Sequence, residues 1–119
     1  MADNNLILDE SKKFALRVIR LYQFLAEQKR EYILSKQVLR SGTSVGANVR
    51  EAVQAQSRPD FLHKMQIALK EASESEYWLE ILYETEYITK SEFDDMKNKC
   101  TELLKLLISI INSSKNNSQ

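Results

Sequence analysis

The chain has 119 residues and a mass of 13.9 kDa, enough for one domain that buries roughly two-thirds of its unfolded surface without a disulfide or metal staple. Hydrophobic residues make up 43% and charged residues 29%, a globular balance, while 2 Gly and 1 Pro are too few for the many turns of an all-β protein. The 17 basic and 17 acidic side chains cancel, and 1 Cys with 1 His excludes a disulfide framework, a zinc finger and a His-rich metal centre.

Residues 1–8 read as a polar N-terminal extension around Leu6-Ile7-Leu8, without signal-peptide architecture. Phe14, Val18, Leu21 and Leu25, at steps of four, three and four, predict a first helix from Asp9 to Lys29. A second is predicted from Ser35 to Gln56, with Ser35 as the capping oxygen and Val38, Gly42, Val45, Val49 and Ala52 on one face. The third has the clearest start: Ser57 can cap, Pro59 lacks only an N–H that the first turn leaves unused, and Asp60 suits the positive helix end. Phe61, Met65, Ala68, Ala72, Ser75, Leu79 and Leu82 form its inner stripe. Thr89 and Glu92 make a capping box for the fourth, whose inner face is Phe93, Met96, Cys100, Leu103, Leu107 and Ile110. Residues 112–119 form a polar tail. Short connections make sequential helices antiparallel, so residues 9–111 predict an all-α, up-down-up-down antiparallel four-helix bundle.

Two features exceed what such a bundle needs. The apolar positions of the fourth helix, from Leu106 round to Ile108, span an arc of about 200° against the roughly 100° of a surface helix. The third carries a second stripe of Ile67, Trp78 and Ile81, flanked by Glu71 and Glu74. Ile67, Glu71, Glu74, Trp78, Ile81, Leu106 and Ile108 are therefore the candidate homo-oligomer interface, with the two carboxylates placed to pair with Arg of another copy.

The neutral charge hides an asymmetry. Residues 1–60 carry 10 basic and 7 acidic side chains, residues 61–119 the reverse, and all six Arg fall in the first half. Lys13, Arg17 and Arg20 form a stripe on the first helix and Lys36, Arg40 and Arg50 one on the second, so these six are the candidate nucleic-acid contacts. No aromatics interleave with the Arg, which argues against reading of single-stranded bases.

Catalytic chemistry finds no constellation. Asp60 and His63 have the spacing of a di-iron element, but that site needs the element twice and this chain has one His. Cys100 lies on an inner helix face as a small hydrophobe. No Gly-rich phosphate loop, Ser/His/Asp set or metal-ligand spacing occurs, so the reading is of a non-enzyme without cofactor or metal. The longest apolar run, near Leu103 to Ile111, is too short to span a bilayer. A free Cys100 suits a reducing cytoplasm.

Gly42 and Gly46, four apart inside a helix, each cost roughly 1 kcal/mol relative to Ala, so something must offset them. Close approach of another helix does so, and Asn48 at the edge of the same stripe can hydrogen-bond a neighbour. A ligand-contacting backbone is the alternative. Around these residues the segment Leu39 to Leu82 resembles the 23S rRNA-intervening-sequence proteins. The similarity rests on Leu39-Arg40, Ser44-Val45-Gly46-Ala47-Asn48, Asp60-Phe61, Ala68-Leu69-Lys70-Glu71-Ala72 and Tyr77-Trp78-Leu79. The resemblance implies a bacterial four-helix bundle assembled as a ring of five and no defined activity. It matches the family motif at Arg40, Asn48, Glu71 and Trp78. Related accessory proteins of retroelements form a basic barrel that binds a reverse transcriptase and RNA, which makes RNA or a nucleic-acid-processing protein the expected alternative partner to further copies of the chain. This sequence departs from them in its neutral charge.

Overall fold

Four helices joined by short turns organise the computed structural model, which describes residues 2–117. They are α1 (Ala2–Glu27), α2 (Leu34–Val53), α3 (Arg58–Glu84) and α4 (Lys90–Asn117). Neighbouring pairs run α1–α2, α2–α3, α3–α4 and back from α4 to α1, the all-α, up-down-up-down antiparallel bundle expected. The molecule measures 49 × 21 × 19 Å, its long dimension slightly exceeding the roughly 42 Å of a 28-residue helix.

The local starts of α3 and α4 follow their sequence signals. The Ser57 side chain accepts the Asp60 N–H at 3.2 Å, with Pro59 in the first turn. Thr89 and Glu92 exchange reciprocal bonds of 2.8 and 3.2 Å. The α3–α4 turn puts Glu86 in the left-handed region (φ 67°). Tyr87 N–H then returns to the Leu82 carbonyl and Glu86 N–H to that of Tyr83, which satisfies the last carbonyls of α3. Tyr83 stacks on Phe93 across this turn at 4.7 Å.

Three expectations are corrected. Residues 2–8 of the expected extension are helical: α1 begins at Ala2, and Ile7 is fully buried in line with Ser11, Phe14 and Val18. The buried Ser11 interrupted the apolar pattern, and its hydroxyl satisfies itself on the Leu8 carbonyl. At the other end α4 continues to Asn117, with Ile111 rather than Ile110 fully turned inward, so residues 112–117 of the expected tail are helical. Met1, Ser118 and Gln119, which the predicted terminal segments include, lie outside the described residues.

The third correction concerns α2, which starts at Leu34 without a side-chain bond from its own cap position. Glu31 takes that role. Its carboxylate accepts the N–H groups of Ile33, Leu34 and Ser35 at 3.2, 3.1 and 2.7 Å. Ser35, expected to cap, instead donates its hydroxyl to the Glu31 carbonyl at 2.7 Å and is buried. The carboxylate thus reaches forward over the otherwise orphaned amides of the first turn, just after a left-handed Arg30 (φ 53°).

The core fills the bundle axis. Phe14, Val18 and Leu25 of α1, Val38, Val45 and Val49 of α2, Met65, Leu79 and Leu82 of α3, and Met96, Cys100, Leu103 and Leu107 of α4 are all buried. Gly42 and Gly46 receive α1: a Cβ at Gly42 would meet Val18 methyls at 2.7 and 2.8 Å, and one at Gly46 the Ser11 carbonyl oxygen at 3.3 Å. Their cost in helix propensity is offset by this close approach. Among the described residues, every buried polar side-chain atom has a hydrogen-bond partner.

Candidate functional site

Two regions hold the residues singled out from the sequence. The first is the seam between α2 and α3. Arg40 reaches across it to Glu71 at 3.0 Å and also bonds Glu74. Glu74 accepts a second bond from the Trp78 indole N–H at 2.9 Å. Beneath this layer the Ser75 hydroxyl donates to Ser41 at 2.9 Å, between two buried side chains. The Trp78 N–H first, then the Arg40 guanidinium, hold the Glu74 carboxyl below its usual range against the opposing effect of burial. Glu74 in turn raises the Arg40 pKa.

This geometry reassigns the candidates. Arg40, expected to face a phosphate, and Glu71 and Glu74, expected to face an Arg of another copy, satisfy one another within one chain. The pairing spans 31 and 34 residues of sequence, so it depends on the register of two antiparallel helices, which apolar spacing leaves undetermined. Asn48 donates to the Ser44 carbonyl of its own helix at 2.9 Å rather than to a neighbouring element.

The second region is the seam between α1 and α4, the loosest of the four. It opens into a groove of about 630 Å³, floored by Leu6, Phe14, Leu16, Leu103 and Leu106 and edged by Lys13, Arg17, Arg20 and Lys99 with Glu10 and Glu102. Leu6 and Leu16 are each 50% exposed. Here too the predicted cations are partly spent: Lys13 pairs with Asp9 at 3.1 Å and Glu10 at 3.6 Å, and Arg17 with Asp95. The Arg17 hydrogen bond holds the Asp95 carboxyl low. Arg20, Lys36 and Arg50 are exposed and make no ion pair among the described residues.

Of the remaining interface candidates, Ile67, Trp78, Ile81 and Leu106 are half-buried and Ile108 is 45% exposed. Tyr77, beside Trp78 in an edge-to-face contact, stands out at 54% exposure and was not among the interface candidates read from the sequence. Nor was Leu6, because the first helix was expected to start three residues later. With α1 beginning at Ala2, Leu6, Lys13, Arg17 and Arg20 fall within about 60° at 100° per residue.

Cys100 is buried, donates to the Ala72 carbonyl at 3.2 Å, and has its thiol pushed up to about 12, mainly by burial. His63 is exposed. Among the described residues no three His, Cys, Asp or Glu side chains converge as a metal site, and no helix is long and apolar enough to cross a membrane.

The sequence matches the family described as 23S rRNA-intervening sequence protein over residues 3–109. The chain belongs to that family. A solved structure similar to it is a protein with unknown function from the S23 ribosomal protein family of Bacteroides thetaiotaomicron VPI-5482. The two share 56% sequence identity with a TM-score of 0.91, covering 92% of this chain and 98% of that one. Among curated proteins none matches.

In this 23S rRNA-intervening sequence protein, three of the four motif positions form one network. Arg40 donates directly to Glu71 and is linked to Trp78 through Glu74, and the motif segment around Gly46 lies directly against α1. The most distinctive sequence in the chain thus builds the α2 joints on either side.

Proposed function

We propose that this protein is a non-catalytic scaffold or adaptor that acts as a homo-oligomer, a pentamer by family likeness, in the cytoplasm. The observation that carries the reading is the apolar surface outside the bundle core, with Leu6 and Leu16 each half-exposed along the α1–α4 groove. A monomer of this size has little reason to leave such a groove wet, and contiguous apolar surface with a polar rim marks an interface. The free, buried Cys100 suits a reducing compartment.

The nucleic-acid alternative draws less support. Lys13, Arg17 and Arg40 direct their charge at carboxylates of the same chain, which leaves Arg20, Lys36 and Arg50 from the two stripes for a phosphate backbone. Sedimentation recorded at 260 and 280 nm, with and without structured rRNA fragments at low salt, separates the two. A species near five times the 13.9 kDa chain mass that leaves the RNA boundary untouched supports the scaffold. A salt-sensitive co-sedimenting complex overturns it in favour of RNA binding.

A further inference from the structure

At the end of the bundle where α1 and α3 start and α4 finishes lies another cavity, of about 550 Å³. That is within the roughly 300–1,000 Å³ of small-molecule sites. Phe61 of α3 with Leu106 and Ile110 of α4 form its apolar floor, all three half-buried. The rim is polar and carries one charged side chain, Arg58, with no carboxylate among the described lining residues. The α1–α4 groove differs, since its edge mixes Glu10 and Glu102 with the cations. Asp60, the acidic residue nearest to Arg58 in sequence, lies about 200° round α3 from it and outside the lining. One guanidinium N–H of Arg58 donates to the Ser114 carbonyl at 3.2 Å, which ties the head group to the end of α4. Arg58 forms no ion pair among the described residues, so most of its five-donor fork is left for another acceptor. The Ser44 and Ser75 hydroxyls fold back onto carbonyls of their own helices. Those of Ser109 and Ser113, one turn apart on α4 and both lining the cavity, make no hydrogen bond among the described residues.

We propose that this cavity binds an amphipathic monocarboxylate, a small molecule with an apolar body and a single carboxylate head. The body covers Phe61, Leu106 and Ile110, and the head meets Arg58, with the Ser109 and Ser113 hydroxyls as further donors. Burial of the body supplies affinity, and Arg58 selects the head. One cation with no carboxylate beside it sets the ligand charge at a single negative. A second anionic group would find no counterion, and an ammonium head would face the guanidinium. The site is formed within one chain and does not depend on the homo-oligomer reading.

The test titrates the full chain, by isothermal calorimetry, with three probes of equal length: octanoate, octanol and octylammonium. Octanoate should fill one saturable site per chain, octanol should bind about tenfold more weakly, and octylammonium should not bind. Arg58→Gln should bring octanoate down to the level of octanol and leave octanol unchanged. Arg58→Lys, which keeps the charge without the fork, should fall between Arg58→Gln and the wild type. Ser109→Trp, a substitution at an exposed position on the cavity rim, should block octanoate and octanol alike. Circular dichroism verifies that each variant keeps its helices. Leu16→Asp, in the α1–α4 groove, should leave all three titrations as they are. A wild type that takes up no octanoate overturns the proposal. So does octanoate binding that survives both Arg58→Gln and Ser109→Trp, or that is lost in Leu16→Asp, since either result would place the molecule on other apolar surface.

Discussion

Gly42 of α2 and Val18 of α1 meet so closely that a single methyl group added at Gly42 would sit 2.7 Å from a Val18 methyl. The contact fixes how deeply α1 seats on α2. Gly42→Ala gains helix propensity but overpacks a buried site, and the second effect is larger: a net loss of about 1–3 kcal/mol is expected in urea denaturation. Val18→Ala in the same chain should recover part of that loss, read as a coupling energy in the double-mutant cycle.

Glu31 holds three N–H groups at the start of α2. Glu31→Ala strips all three of their acceptor and should lower stability by about 2 kcal/mol. Glu31→Gln keeps an acceptor oxygen but loses the charge facing the helix dipole, so its loss should be smaller. Urea midpoints measured for both variants check the order.

The seam of α2 and α3 should show in the acid limb of stability. The folded Glu74 pKa lies below its ordinary value of 4.5, so the folded protein binds that proton less readily than the unfolded chain does. The contribution is complete above the ordinary value and disappears as pH falls through the folded one. Thermal melting of Glu74→Gln should therefore fall less steeply below pH 4.5 than that of the wild type. An equal slope in both would place the acid sensitivity elsewhere, for instance at Asp95, whose pKa is also lowered.

Cys100 should be silent in the native protein. With its thiol pushed up to about 12 and no exposed surface, almost no thiolate exists near neutral pH. A thiol-specific chromogenic disulfide at pH 8 should react only as fast as the bundle opens, and at once in denaturant. Rapid native labelling would mean that α3 and α4 separate locally.

How much of this was legible in the sequence depends on the range of the interaction. Ser57, Pro59, Thr89 and Glu92 act on backbone groups within three residues, so their spacing alone marks where α3 and α4 start. The inner stripes of α2 and α3 were equally plain, since apolar periodicity and burial are the same fact seen twice. Ile7 was missed because the buried Ser11 interrupted its stripe. Glu31 was missed because a Glu ahead of the first turn is not one of the short Ser, Thr, Asp or Asn caps, and Ser35 offered that ordinary signal four residues later. The partners of Arg40 were out of reach for another reason: complementary charges can be read along a helix, but which of them meet across a seam is decided by packing register.

The cap that Glu31 supplies has a consequence for how this protein can handle phosphates. The exposed amide ends of helices are natural anion receptors, but here the amides at the start of α2 already hold a carboxylate of the chain. At α3 Ser57 accepts the Asp60 amide with the Asp60 charge in the first turn, and at α4 Glu92 folds back onto the Thr89 amide. These three helices come already plugged with anionic or hydroxyl groups of their own. A polyanion approaching the bundle therefore meets side-chain cations alone, without help from backbone dipoles at those ends, and its grip would be long-range, non-directional and quickly eroded by salt.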